Sequence, residues 1–195
     1  MIVLASASPR RRELLERVGF AVTVDVADVD ETQRPGEAPL AYVQRVAGAK
    51  ADLVAARRPA GTWVLAADTI VACDGDVLGK AASAVEADAM LRRLVGRSHE
   101  VTTAFAIRGA ARHDAMVTTV VTMVAAAPAV IADYVSSDEW RGKAGAYAVQ
   151  GIGAALVERV HGSVTGVIGL PLPEVIAALR ALGGPAPAFS EGYPA

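Results

Sequence analysis

Residues 63–71 read Trp-Val-Leu-Ala-Ala-Asp-Thr-Ile-Val, apolar throughout except for Asp68 and its neighbour Thr69. Such a run, continued to Cys73 and closed by Asp74-Gly75-Asp76, predicts a strand over 63–73. An ionised carboxylate buried in a strand like this costs several kcal/mol unless it is paired or holds a cation. Two readings stand side by side. Either the strand turns one polar face to water, or Asp68 is kept inside because the site needs it, as buried acids usually are.

Around this strand the chain alternates helical and extended patterns. Ile2–Ala5 reads as a short buried strand, and Ser8-Pro9 as the N-cap and first position of a helix ending near Gly19. Phe20–Val26 alternates like a strand and leads into the acidic loop Asp28-Val29-Asp30-Glu31. A long helix is predicted from Pro39 to Arg58, and a second, with Ser83 and Glu86 as its capping box, over 84–95. Strands at 99–108 and 114–125 predict a hairpin about Gly109, followed by a helix from Pro128 to Ser136 and a strand over 154–160. Gly162, Gly166 and Gly169 mark a loop before a final helix with the stripe Leu172, Val175, Ile176 and Leu179. Helices and strands intermixed in this way mean an α/β or α+β fold with a mixed sheet. The 195 residues suit a single domain over 1–183, with 184–195, rich in proline, as a flexible tail.

Composition narrows the function. Basic and acidic residues number 19 and 21, a formal charge of −2, so the basic excess of a general nucleic-acid binder is absent. Mean hydropathy is +0.36, which excludes disorder, yet no apolar run reaches the ~18 residues that span a bilayer. The first residues place their charges after the apolar stretch, the reverse of a secretory signal, and a cytoplasmic protein with no membrane partner is expected. A single cysteine, Cys73, gives no intramolecular disulfide and no basis for a zinc cluster. Sixteen of the 19 basic residues are arginine, and the lysines are Lys50, Lys80 and Lys143 alone. Either chance placed them or each is kept for its compact ammonium.

Common nucleotide motifs do not fit. Gly75-Asp76-Val77-Leu78-Gly79-Lys80-Ala81 is one residue short of a P-loop and lacks the hydroxyl after lysine. No G-x-G-x-x-G follows the first strand, and His99, His113 and His161 are scattered. More promising is Ser6-Ala7-Ser8-Pro9-Arg10-Arg11-Arg12, which leaves a strand and opens a helix, so that free N–H groups, hydroxyls and guanidiniums gather where an anion binds well. The bland alternative is an ordinary N-cap with a solvated arginine face, although three cations in a first helical turn oppose the helix dipole. On the helix from Pro39, the stripe Leu40, Val43, Ala47, position 50, Val54 puts Lys50 where an apolar residue belongs. It either snorkels to water or points its ammonium at something negative. Asp28, Asp30 and Glu31, with Asp68, offer hard oxygen ligands for Mg²⁺ or Mn²⁺, although an acidic loop by itself is usually just solvated. With the lysines and arginines, they form the inventory of a phosphoryl-transfer site.

Taken in order, these segments resemble the Maf family of nucleoside triphosphate pyrophosphatases over nearly the whole chain. The matching pieces are Ser6-Ala7-Ser8-Pro9-Arg10-Arg11, Val29-Asp30-Glu31-Thr32, Ala49-Lys50-Ala51, Ala67-Asp68-Thr69-Ile70-Val71 and Gly79-Lys80. Further on come Gly96-Arg97-Ser98-His99-Glu100-Val101, Lys143-Ala144-Gly145-Ala146-Tyr147, Gln150-Gly151 and Val167-Ile168-Gly169-Leu170-Pro171. The resemblance implies an elongated mixed sheet flanked by helices with a central cleft, similar to inosine triphosphatase-type folds. It also implies metal-dependent hydrolysis of a nucleoside triphosphate to monophosphate and pyrophosphate. By the same resemblance Asp68 is the proton acceptor and, with Glu31, a metal ligand, while Ser6, Ser8, Arg11, Lys50 and Lys80 hold the triphosphate. Arg10, Thr69 and Gln150 match the specificity positions of members that prefer dTTP and UTP, rather than those acting on 7-methyl-GTP. Ala81, in place of the usual proline, and Val164-Thr165-Gly166, in place of an aromatic-containing stretch, depart from the pattern. Family members are often dimeric, which leaves a homodimer open, and the family has been linked to inhibition of septum formation, so a non-catalytic nucleotide-binding regulator is the rival reading.

Overall fold

The computed structural model describes residues 1–188. Its strands are β1 (Ile2–Leu4), β2 (Val22–Val24), β3 (Val64–Cys73), β4 (Asp76–Leu78), β5 (Ser98–Arg108), β6 (Arg112–Met123) and β7 (Val157–His161). Its helices are α1 (Pro9–Arg17), α2 (Pro39–Ala56), α3 (Ala84–Leu94), α4 (Pro128–Ser136), α5 (Val164–Ile168) and α6 (Leu172–Ala181). The seven strands form one sheet in the order β2-β1-β3-β5-β6-β7, with β4 paired to β3. It is mixed: β1 runs parallel to both β2 and β3, while β3–β4 and β6–β7 are antiparallel. This is the mixed α/β architecture that the alternating sequence pattern predicts.

The chain divides into two compact units. The first comprises Met1–Asp68, Thr103–Val117 and the residues from Gly169 onward; the second comprises Thr69–Thr102 and Thr118–Ile168. Small side chains dominate one apolar cluster of the first unit, with Val3, Ala5, Ala51, Val54, Val64, Ala66 and Ala106 packed together. Alanines there let the face of α2 lie close to β1 and β3, and the burial of their methyls together with the valines supplies the driving force. The second unit is built on larger groups, including Leu91, Leu94, Met123, Ile131 and Trp140.

Local chemistry explains most element boundaries. Asp74 and Gly75 both take positive φ, 54° and 85°, as a two-residue hairpin with right-handed strand twist requires, so β3 turns back directly into β4. Ser83 caps α3 by accepting the Glu86 N–H at 3.2 Å, while the Glu86 carboxylate reaches the Ala82 N–H at 2.7 Å, one residue before the position a capping box uses. Ser8 takes the extended backbone of an N-cap, but its side chain makes no capping bond.

Three expectations change. The strand expected over 154–160 begins only at Val157, because Ile152–Leu156 winds into a 3-10 turn. The glycine-marked loop contains α5, opened by the Ser163 hydroxyl, which accepts the Gly166 N–H at 3.0 Å. On α2, Leu40 is 46% exposed, and the buried face is Val43, Val46, Ala47, Lys50, Ala51 and Val54. Within the stretch expected as a tail, the Gly184 N–H donates to the Leu179 carbonyl at 2.7 Å and the Ala188 N–H to the Val18 carbonyl at 3.1 Å. The rest, 189–195, lies outside the described residues. No described helix is long and apolar enough to cross a membrane.

Candidate active site

Asp68 ends the portion of β3 that belongs to the first unit, after four residues that are at most 1% exposed, and is itself 9% exposed. The strand does not turn it to water. Lys50 comes to it from the buried face of α2, where helical spacing puts the ammonium on the core side rather than in solvent. Its Nζ donates to Asp68 Oδ1 at 2.9 Å and pairs with Glu31 Oε1 at 2.8 Å. One cation thus pairs with two carboxylates, the buried Asp68 and the more exposed Glu31. That compensation is what allows Lys50 and Asp68 to be buried, since either alone would face the full desolvation cost.

Glu31 reaches this point from the loop between β2 and α2, which has few apolar anchors and is held by polar contacts from α2. The Tyr42 hydroxyl donates to the Glu31 carbonyl at 3.0 Å, and Arg45 Nη2 to the Thr32 carbonyl at 3.0 Å. The Arg45 guanidinium also grips Glu37 with both prongs, at 2.6 and 2.8 Å, the fork geometry that makes arginine–carboxylate pairs directional. These bonds and the Arg34 N–H bring the Glu37 carboxyl down to about 2. Burial raises the Tyr42 phenol, and the charges of Asp68 and Glu31 push it the same way, so the ring lies in the field of both acids. Tyr42, Arg45 and Glu37 went unnoticed in the sequence. The signal was the i,i+3 spacing of Tyr42 and Arg45 on α2, with the guanidinium 5.7 Å from the ring centroid.

The start of α1 resolves the three consecutive arginines. Arg12 is solvated and pairs with Glu16 at 2.7 Å. Arg11 turns inward: Nε donates to the Gly169 carbonyl at 2.7 Å and Nη1 to the Ser6 hydroxyl at 3.0 Å, and Ser6 also accepts the Ser8 N–H at 3.2 Å. Burial lowers the Arg11 pKa most strongly, Asp68 and Glu31 oppose that, and Arg10 adds to it. Arg11 therefore stands in the electrostatic field of the two acids. Arg10 is partly buried, and desolvation lowers its pKa as well. Asp28 and Asp30 are exposed, and Asp30 is engaged with the Thr32 N–H at 2.9 Å. The structure thus gathers Lys50, Asp68 and Glu31 into one contact group and Ser6, Ser8 and Arg11 into another, both in the first unit.

The second unit carries Thr69, Lys80 and Gln150. Thr69 is half-buried on β3 directly after Asp68, and Lys80 and Gln150 are exposed. Lys80 forms an isolated bridge with Ala144, and the Gly145 N–H donates to Leu78 at 3.2 Å and Gly79 at 3.1 Å, so the residues after β4 are joined to the 143–150 stretch. Lys143 spends its ammonium on the carbonyls of Glu139 and Arg141. His99 is buried in the unit's interior, where its Nε2 and the Tyr147 hydroxyl share a hydrogen bond of 2.8 Å, and burial lowers its pKa to about 4.

Among the described residues no cluster of three or more His, Cys, Asp or Glu can hold a metal. The residues fit a metal in a narrower sense. Glu31 and Asp68 already converge on one cation, Lys50, and hard carboxylate oxygens suit Mg²⁺ or Mn²⁺. Mg²⁺ commonly takes one or two carboxylates and completes its shell with substrate phosphates and water, so a pair is sufficient.

A family model described as Maf-like protein matches residues 1–182. The chain is 51% identical over 187 residues to a dTTP/UTP pyrophosphatase of Myxococcus xanthus (strain DK1622), covering 96% of this chain and 95% of that protein. It is 49% identical over 185 residues to a dTTP/UTP pyrophosphatase of Geobacter sp. (strain M21), covering 93% and 95%. With the protein of that name from Anaeromyxobacter sp. (strain Fw109-5), identity is 48% over 200 residues, covering 100% and 95%.

Proposed function

The chain belongs to the Maf family, and on that premise we propose that it is a nucleoside triphosphate pyrophosphatase that hydrolyses dTTP and UTP to the monophosphate and pyrophosphate. Identity of about half with proteins of that name, over nearly the full length of both chains, supports the reaction and the substrate class. The observation that carries the chemistry is the buried Asp68 carboxylate held by Lys50 beside Glu31.

In the proposed step, Asp68 takes a proton from a water whose oxygen attacks the α-phosphorus. The P–O bond between the α-phosphorus and the bridging oxygen breaks, and pyrophosphate leaves with the electron pair. Lys50 keeps Asp68 oriented and balances its charge. Glu31 and Asp68 would hold Mg²⁺ or Mn²⁺, which when bound supplies charge neutralisation to the triphosphate. Arg11, fixed by Ser6 and the Gly169 carbonyl, presents a cation with a set direction, while Ser6 and Ser8 offer hydroxyls near the first turn of α1. Lys80 is a further cation for the triphosphate. Arg10, Thr69 and Gln150 are assigned to the base.

The test is product identification. Incubation with Mg²⁺ and a panel of pyrimidine and purine triphosphates should release pyrophosphate, fastest from dTTP and UTP. Orthophosphate as the first product would refute the reaction, and equal rates on all bases would refute the pyrimidine preference. Tight binding of dTTP without any product would favour a nucleotide-binding regulator instead.

A further inference from the structure

In the second unit, the residues from Ser137 to Gly151 link α4 to the 3-10 turn at Ile152–Leu156 and carry Gln150. The end of this stretch is built around one side chain. The Glu139 carboxylate accepts the Ile152 N–H on Oε1 and the Gly153 N–H on Oε2, each at 2.8 Å. These are the first free N–H groups of the turn, and the residue at its N-cap is Gly151, which has no side chain to satisfy them. Glu139, twelve positions earlier in the chain, takes over that role with two charge-assisted bonds.

A side chain at position 151 could enter only by pushing this carboxylate off its two N–H donors. A Cβ on Gly151 would stand 1.9 Å from Glu139 Oε1 and 2.6 Å from its carboxyl carbon. The carboxylate therefore fills the volume that any other residue there would occupy. Its own backbone is held in turn, because the Lys143 ammonium donates to the Glu139 carbonyl. All this anchoring is applied next to Gln150, a residue whose side chain is exposed. A carboxamide, with two donors and an acceptor, is suited to the hydrogen-bonding edge of a base. Its affinity gains when the backbone beneath it is already ordered, because less freedom is lost on binding.

We infer that Glu139 is a positioning residue for substrate selectivity, which acts through Gly151 and the amides of Ile152 and Gly153 to fix the backbone that carries Gln150. This rests on the assignment of Gln150 to base recognition made above. Glu139 does not touch the substrate; it determines where the carboxamide stands.

The experiment compares Glu139→Gln, Gly151→Ala and Gln150→Ala in the full chain, with kcat and KM for dTTP and dGTP and the thermal midpoint of each protein. Glu139→Gln keeps the shape but turns one acceptor into a donor facing an N–H. It should lower the dTTP-over-dGTP ratio of kcat/KM about tenfold, the scale of one well-placed hydrogen bond, with the loss in KM rather than kcat. Gly151→Ala should do the same. Adding Glu139→Gln to Gln150→Ala should cost no further selectivity, because Glu139 acts only through that carboxamide. If Gln150→Ala loses selectivity while Glu139→Gln and Gly151→Ala keep it, the positioning role is overturned whatever the thermal midpoints do. If Gln150→Ala keeps full selectivity, the assignment of Gln150 fails, and the inference with it. One measurement needs no variant: in the wild-type protein the amides of Ile152 and Gly153 should exchange slowly with solvent, and rapid exchange would overturn the lock.

Discussion

Replacing Lys50 by methionine removes the ammonium and keeps an unbranched side chain of similar length. The structure sets the size of the effect. Asp68, 9% exposed, is left in an apolar strand without its cation, and its bond to Nζ at 2.9 Å is lost. Breaking a buried pair by deleting one partner costs about 3–5 kcal/mol. Glu31 adds little, because its side chain is 43% exposed and water replaces the cation there. A value near the lower end, about 3 kcal/mol, is therefore expected. For a chain of this size it corresponds to a fall of roughly 6–12 °C in thermal midpoint. Urea denaturation in the presence of a chelator measures it. Because the penalty comes from an uncompensated charge, the double variant Lys50→Met with Asp68→Asn should recover much of the loss, and a double-mutant cycle reads the coupling. A single variant within about 0.5 kcal/mol of wild type, the usual spread for a surface change, would mean that Lys50 merely snorkels and that Asp68 is solvated. The central contact of the site would then be wrong.

Asp68→Asn alone should remain folded and lose about 10²–10⁴-fold in turnover, the usual cost of removing a general base; a pyrophosphate-release assay with near-wild-type rates would sink the assignment. Arg45→Lys cannot reproduce the two-pronged grip on Glu37 and weakens the bond to the Thr32 carbonyl. It should loosen the loop that presents Glu31, seen as faster cleavage after Glu31 by a glutamate-specific protease and a higher KM. His99 is kept neutral by burial, with its pKa lowered to about 4. The unfolded chain binds a proton there from about 6.5 downward, so the stability His99 contributes is complete above that pH and is lost as pH falls towards 4. In His99→Gln that part of the pH dependence of the thermal midpoint should vanish, and an unchanged profile would assign it to other groups.

The residues that break an apolar pattern were the legible part of the site. Asp68 and Lys50 stand out because burial of a charge is costly wherever it occurs, and the strand and helix periodicities that reveal burial are local properties of the chain. Arg11 was legible only as one of three adjacent arginines, and nothing local distinguished it from Arg12, which pairs with Glu16 at the surface. Ser8 is the N-cap that its place before Pro9 predicts, but the hydroxyl that accepts an N–H there is that of Ser6, which local sequence does not single out. The stretch before β7 looked extended because its residues are small and apolar. It winds into a 3-10 turn around a carboxylate that no periodicity reports.

The sequence by itself determined the alternation of helices and strands, the hairpin at Asp74-Gly75, the capped start of α3, and the presence of an acid and an ammonium inside apolar elements. Each of these follows from contacts within a few residues, where backbone geometry, capping and side-chain periodicity decide. Tertiary structure alone decided that Lys50 meets Asp68 and Glu31 together, that Arg45 holds the loop bearing Glu31, and that Arg11 reaches a carbonyl 158 residues away. These contacts depend on how the elements pack. Closing such long loops is favourable only once the apolar faces have met, so their partners cannot be read from the neighbouring sequence.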